Sequence, residues 1–397
     1  MEVRKLDQRE YDRRLRAVIV GTEGLHAHVQ DVGDQMATIG WGYTLNRSNN
    51  VEIWTRAGLE LSPQQLAVLE QVDRAPRNEK TRIGLRFDKA LTEAESDMLF
   101  RASLAEYEGP ARRAGLPLSD ERVAMVSVTY NRGVGALRAH PVVEALQDGD
   151  RAETWFQLRY NCWGSRPDME GGLRKRRFAE SEIFGLFDDP TKVSVEEASR
   201  VYATFRTHRA EIERVERSFG VTVEGIEARP NRIAQANRDY PDIIAEYGAV
   251  RTISESLAPA RQVLLDHLRA RYPQHLPEFS EDRFNAGDID LDRFPARDRQ
   301  QVREEPGALR SEGGDRFPDV TKKEQHMGED AFHALFEAAA RGDEASVRSA
   351  TLALMQSPMG EAFLQQGDRL IAHQSAELHA SLDQPAAQGA SVADARG

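Results

Sequence analysis

Apolar positions near the N-terminus recur at helical intervals. Leu6, Leu15, Val18 and Ile19 share an approximate face, so residues 1–20 read as a helix that runs into Gly21-Thr22-Glu23-Gly24. From Ala27 to Thr44 the pattern changes to Gly, Asp, Thr and aromatic or branched residues, which suits a small antiparallel hairpin. Helical signals then return. Ser62 can cap a helix with Pro63 in its first turn and Gln65 closing the box, and Thr92 with Glu95 repeats the arrangement ahead of Met98, Leu99 and Leu104. A further apolar run from Val123 to Val128 ends near Gly133, a helix stop. The pattern predicts an α+β fold, mostly α, with one small β-hairpin lobe.

A turn at Asp188-Asp189-Pro190 precedes a new capping box, Ser194 to Glu197, and the reading places a domain boundary there. Residues 1–190 form the first expected domain and 191–276 a charged, Arg-rich helical module. Crowded charge, Gly and Pro mark 277–325 as a linker. A short helical region is expected over 326–380, and the Ala, Gln, Ser and Gly of 381–397 read as a disordered tail.

Among 397 residues, 40% are hydrophobic and 30% charged, as in globular domains, and no stretch approaches the roughly 18 unbroken apolar residues of a membrane span. The net charge of -12 falls mostly in the second half: about 27 basic against about 30 acidic residues precede Pro190, and about 26 against about 35 follow. Neither half offers the basic face expected for nucleic acid or an anionic membrane. Charge throughout the first 20 residues argues against a cleaved secretory signal, so the chain is expected to be made in the cytoplasm without one. The single cysteine, Cys162, has no disulfide partner and reads as a small buried side chain. His26 and His28 alternate along a strand with no third ligand near them and read as strand positions, not metal ligands.

Candidate chemistry lies where the first helix meets the hairpin. Cleaving a glycosidic bond needs one carboxylic acid held neutral and a second carboxylate held ionised. Glu23 sits where an apolar wall would favour the protonated form, and Gly24 after it lets backbone pack closely. Asp31, at the start of the hairpin turn, is placed where solvent keeps it ionised. Farther along, the Thr38 hydroxyl can hold a water, and Gly40 and Gly42 let the hairpin twist to present it.

These elements, Glu23-Gly24-Leu25, Asp31 and Thr38-Ile39-Gly40-Trp41-Gly42, resemble the phage-type lysozymes, glycoside hydrolase family 24. Two later segments resemble further family motifs: Tyr130-Asn131-Arg132-Gly133 at a helix end, and Gly172-Leu173-Arg174-Lys175-Arg176-Arg177-Phe178-Ala179-Glu180. Asn131 reads as a polar group at a helix C-terminus, and Arg176, Arg177 and Glu180 as an ion-pair network between helices. The resemblance implies Glu23 as general acid, Asp31 as the carboxylate that orients or activates water, and Thr38 as the residue that positions that water. It also implies an inverting reaction, with the two carboxyl groups roughly 6.5–9.5 Å apart. Two departures stand out: Val29 replaces an aromatic residue, and the turn from Asp31 to Thr38 is one residue longer. Asp34, nearer Thr38, is therefore the alternative second carboxylate. A long insertion between Asn46 and Leu91 resembles the pesticin-like branch, in which a lysozyme fold is joined to unrelated modules.

The expected function is hydrolysis of the β-1,4 bond between N-acetylmuramic acid and N-acetylglucosamine in peptidoglycan, with no metal or organic cofactor. The expected setting is an antibacterial effector acting on the wall of rival cells, in the periplasm or outside the producer, with a delivery apparatus and an immunity protein as partners. A phage endolysin and a non-catalytic glycan-binding module are the alternatives.

Overall fold

The computed structural model describes residues 1–221 and 231–296. The mostly helical α+β class read from the sequence is the class observed, with one three-stranded antiparallel sheet near the N-terminus. Helix α1 (Gln8–Glu23) starts later than the apolar pattern suggested and runs three residues beyond it. Asp7 caps it by accepting from the Glu10 amide at 2.8 Å, so residues before it stay extended, and Leu6 instead donates its N–H to the Leu118 carbonyl at 2.8 Å. Tyr11, Leu15, Val18 and Ile19 form its buried stripe, and Gly24, at φ 72°, ends the helix directly after Glu23.

The sheet runs β1 (His26–Gln30), β2 (Thr38–Gly40) and β3 (Tyr43–Thr44) in that order. Thr38 pairs with Gln30 on one side and Thr44 on the other. The 46–91 insertion folds as three helices, α2 (Asn50–Arg56), α3 (Pro63–Arg74) and α4 (Arg77–Gly84), and α3 opens with the expected Ser62–Gln65 box. These helices and the hairpin share a small core of their own, centred on Trp54 edge-on to Phe87 with ring centroids 4.9 Å apart. Buried Asn50 ties them together: it accepts from the Tyr43 hydroxyl at 2.8 Å and donates to the Leu45 carbonyl at 2.9 Å and Asp73 at 2.7 Å.

Helix α5 (Glu93–Tyr107), opened by the Thr92–Glu95 box, joins this lobe to a larger helical one. Its Leu99 and Ala102 face the small core, while Phe100 and Tyr107 face the large one. After α6 (Gly109–Arg113), the buried helix α7 (Asp120–Arg132) stops at Gly133 as its sequence predicts. Next come α8 (Pro141–Gln147), α9 (Arg151–Phe156), a π-helical turn over Gln157–Asn161, and α10 (Glu170–Phe184).

Beyond the turn at 188–190, α11 (Val195–Ser218), α12 (Arg232–Asp239), α13 (Pro241–Tyr247), α14 (Ile253–Arg271) and α15 (Glu281–Ala286) continue the helical pattern. The expected boundary near residue 190 does not separate two cores. Residues of α11 to α15 belong to the same hydrophobic cluster as α1, α7 and α10, and the described residues form one compact unit. The first part of the expected linker is also corrected: Phe279, Phe284, Ile289 and Phe294 are all buried, so residues 277–296 pack on α11 and α14. The remaining linker, the 326–380 helical region and the 381–397 tail lie outside the described residues.

No helix among the described residues is long and apolar enough to cross a membrane. Cys162 is fully buried, and burial pushes its thiol up to about 12, with the His140 ring nitrogen 3.6 Å from its sulfur. A thiol reagent at pH 8 should therefore leave the folded protein unmodified and label Cys162 once denaturant unfolds it. Labelling of the native protein at the rate of a free thiol would contradict this environment.

Candidate active site

Glu23 is the last residue of α1, at the base of the hairpin, and its side chain is 19% exposed. One wall of its site is the β2–β3 turn. Gly42, at φ 85°, approaches so closely that a Cβ there would lie 3.0 Å from Glu23 Oε2, so the glycine is needed both for its backbone angle and for space. That turn is held from behind, with the Tyr130 hydroxyl donating to the Trp41 carbonyl at 2.9 Å and the Trp41 indole N–H donating to Asp97 at 2.9 Å.

The other wall is charged, in contrast to the apolar wall expected. Arg176 on α10 donates through Nη1 to Glu23 Oε1 and through Nε to Glu180 at 2.9 Å. Burial works against the charge of this guanidinium, but Glu23 and Glu180 hold its pKa above the usual arginine value. Ser127 donates to Glu180 at 2.6 Å, Arg177 pairs with Glu180 at 2.9 Å, and Arg177 donates to Asn131 at 2.9 Å. The ion-pair network read from Arg176, Arg177 and Glu180 is thus present, with Asn131 in it. What the sequence reading missed is that it ends on Glu23. Tyr107 and Tyr130 lie near the same carboxylate; burial, chiefly, raises both phenols and Glu23 adds to the shift. Glu23 Oε2 has no hydrogen-bond partner among the described residues, which leaves that oxygen open to a ligand.

Asp31 begins the loop after β1 and is exposed. Its Oδ1 accepts from the amides of Gly33 at 2.8 Å and Gln35 at 3.0 Å, and Gln35 takes a left-handed φ of 63° inside that turn. Asp34 makes a smaller turn of the same kind, accepting from the Met36 amide at 3.0 Å. Both carboxylates line one groove of about 1390 Å³, together with Thr44, Asn46 and residues of α4. Thr38 is 5% exposed in the middle strand, directly across from the groove residue Thr44. Glu23 and Asp31 therefore bracket β1, the first at its base and the second past its far end. His26 is half-buried with its ring against the Gln30 amide at 2.5 Å, and His28 is exposed. No group of three metal-ligating side chains occurs among the described residues.

The elements of acid-assisted hydrolysis are a partly enclosed carboxyl, Glu23, and two exposed carboxylates, Asp31 and Asp34; the aspartates line the groove, while Glu23 and Thr38 are not among its lining residues. Comparison with curated proteins and with solved structures finds no match. The phage lysozyme family does match, over residues 20–180, which takes in α1 from Val20, the hairpin, the insertion and α10 to Glu180. Across those residues the chain carries a phage lysozyme domain, a muramidase of the glycoside hydrolases that degrade peptidoglycan.

Proposed function

We propose that the domain cleaves the β-1,4 bond between N-acetylmuramic acid and N-acetylglucosamine with inversion, Glu23 acting as general acid. Glu23 Oε2 gives its proton to the leaving glycosidic oxygen, and Arg176 stabilises the carboxylate that remains. Asp31 orients or activates the water that attacks the opposite face of the sugar, and Thr38 positions that water. An inverting pair asks for carboxyl groups roughly 6.5–9.5 Å apart, with the water between them. The observation that carries this reading is the placement of Glu23, wedged between Gly42 and Arg176 at the root of the hairpin whose far turn brings Asp31 to the groove.

The setting we propose is a pesticin-like antibacterial effector that reaches the wall of rival bacteria. More than half of the chain lies outside the family match, and α11 to α14 are built onto the catalytic body, as suits a lysozyme extended for a task besides hydrolysis. A delivery apparatus and an immunity protein would be its partners. Expression in a Gram-negative host tests both parts of the proposal. The chain directed to the periplasm should lyse cells and the chain kept in the cytoplasm should not. Asp31→Asn should abolish periplasmic lysis while Asp34→Asn retains most of it. Lysis that survives Asp31→Asn and fails with Asp34→Asn would transfer the role to Asp34.

A further inference from the structure

The groove beside Asp31 is lined from two directions. Asp31 and Asp34 stand in the loop after β1, where Arg166 also lines the space and donates to the Gly33 carbonyl at 3.2 Å, and α4 contributes Arg77 and Arg82. At about 1390 Å³ it exceeds the ~300–1,000 Å³ typical of pockets for small molecules, as an open channel for a polymer would.

The α4 wall is held firmly. Thr81 donates to the Gln35 carbonyl at 2.6 Å and accepts from Asn46 at 2.7 Å, so the helix is tied to the loop that carries the two aspartates. Gly84 packs so tightly on the hairpin that a Cβ there would come within 2.8 Å of Ala37 Cβ. From its opposite face, buried Lys80 donates to the carbonyls of Arg47 at 2.8 Å and Val72 at 2.7 Å. Arg77 has no ion-pair partner among the described residues. Among the described residues Arg82 pairs with Glu79 on its own helix alone, at 3.1 Å with both side chains exposed, a weak surface contact that a ligand carboxylate can replace.

We propose that α4 recognises the peptide stems of peptidoglycan, with Arg77 and Arg82 taking stem carboxylates while the glycan lies toward Glu23 and Asp31. The inference rests on the muramidase reading and names the part of the substrate that this groove reads. The two sugars flanking the scissile bond are uncharged once the lactyl group is joined to peptide, so they give two arginines nothing to pair with. Stem carboxylates do, and a guanidinium meets a carboxylate with two parallel hydrogen bonds.

Calorimetry on the full chain tests this with two probes: a disaccharide–tetrapeptide fragment of the wall, and the same fragment with its stem carboxylates converted to amides. The acidic fragment should bind about tenfold more tightly. Arg77→Gln/Arg82→Gln should remove that preference, whereas Arg74→Gln, an exposed arginine on α3 outside the groove, should keep it. Equal binding of the two probes by the unaltered chain, or a preference that survives the double substitution, would overturn the proposal. A chain that shows the preference yet never cleaves glycan would leave stem recognition standing and remove the muramidase reading instead.

Discussion

Glu23→Gln should yield a folded protein whose rate of wall hydrolysis is lower by at least about 10²–10⁴-fold, the usual contribution of a positioned acid. Glutamine keeps the side chain's shape and can still present an oxygen to Arg176, but it has no proton to give at the position of Oε2. Folding should tolerate the change because α1 is held by Tyr11, Leu15, Val18 and Ile19, not by its last residue. Arg176 also retains Glu180 at 2.9 Å and the Ser127 hydroxyl oxygen at 3.2 Å. Thermal melting should therefore shift by a few degrees at most, set against the ~5–15 kcal/mol that keeps a domain folded. Wall lysis near the rate of the unaltered chain by a folded Glu23→Gln protein would remove Glu23 from the mechanism.

Ending the chain at residue 190 should have the largest effect on stability. Arg159, fully buried in the π-helical turn, donates to Glu216 on α11 at 3.3 Å and to the Arg251 carbonyl at 2.8 Å. Tyr160 donates to the same Glu216 at 2.8 Å, and Glu182 on α10 accepts from Arg251 at 2.8 Å. Removing one side of a buried ion pair costs about 3–5 kcal/mol. The cut would also strip the cover from Phe156, on which the His208 ring stacks at 3.7 Å, and each large apolar side chain so exposed forfeits about 1.5–3 kcal/mol. These losses are comparable with the whole stability of a domain. Fragments 1–190 and 1–296 should therefore differ in denaturant: 1–296 unfolds in one cooperative transition, and 1–190 shows none. A cooperative transition for 1–190 would restore the independent first domain that the sequence suggested.

The parts of the fold that could be read from sequence are those where local pattern and tertiary packing agree. The 3.6-residue spacing of Leu15, Val18 and Ile19, the capping boxes at Ser62 and Thr92, and the stop at Gly133 each state a local preference that packing keeps. Leu6 misled because its apolar side chain continues the helical face, whereas the Asp7 cap directly after it sets the true start. The 277–296 stretch misled through composition: charge, Gly and Pro hide four anchors at five-residue intervals, Phe279, Phe284, Ile289 and Phe294, a spacing that fits neither helix nor strand. In the candidate site, Glu23 and Asp31 were proposed from their motif, but the pairing of Glu23 with Arg176 joins positions 153 residues apart and leaves no trace in any local window. The same holds for Arg159 and Glu216, since an Arg- and Glu-rich helix looks solvated until its partner helix is known.

The most direct test is the chemistry of the ends that the full chain leaves on purified peptidoglycan. Products taken early in the digestion should carry N-acetylmuramic acid at the new reducing end, in the α configuration that inversion of a β bond produces, and Glu23→Gln should release none. New N-acetylglucosamine reducing ends, or soluble products formed equally well by Glu23→Gln, would contradict the account.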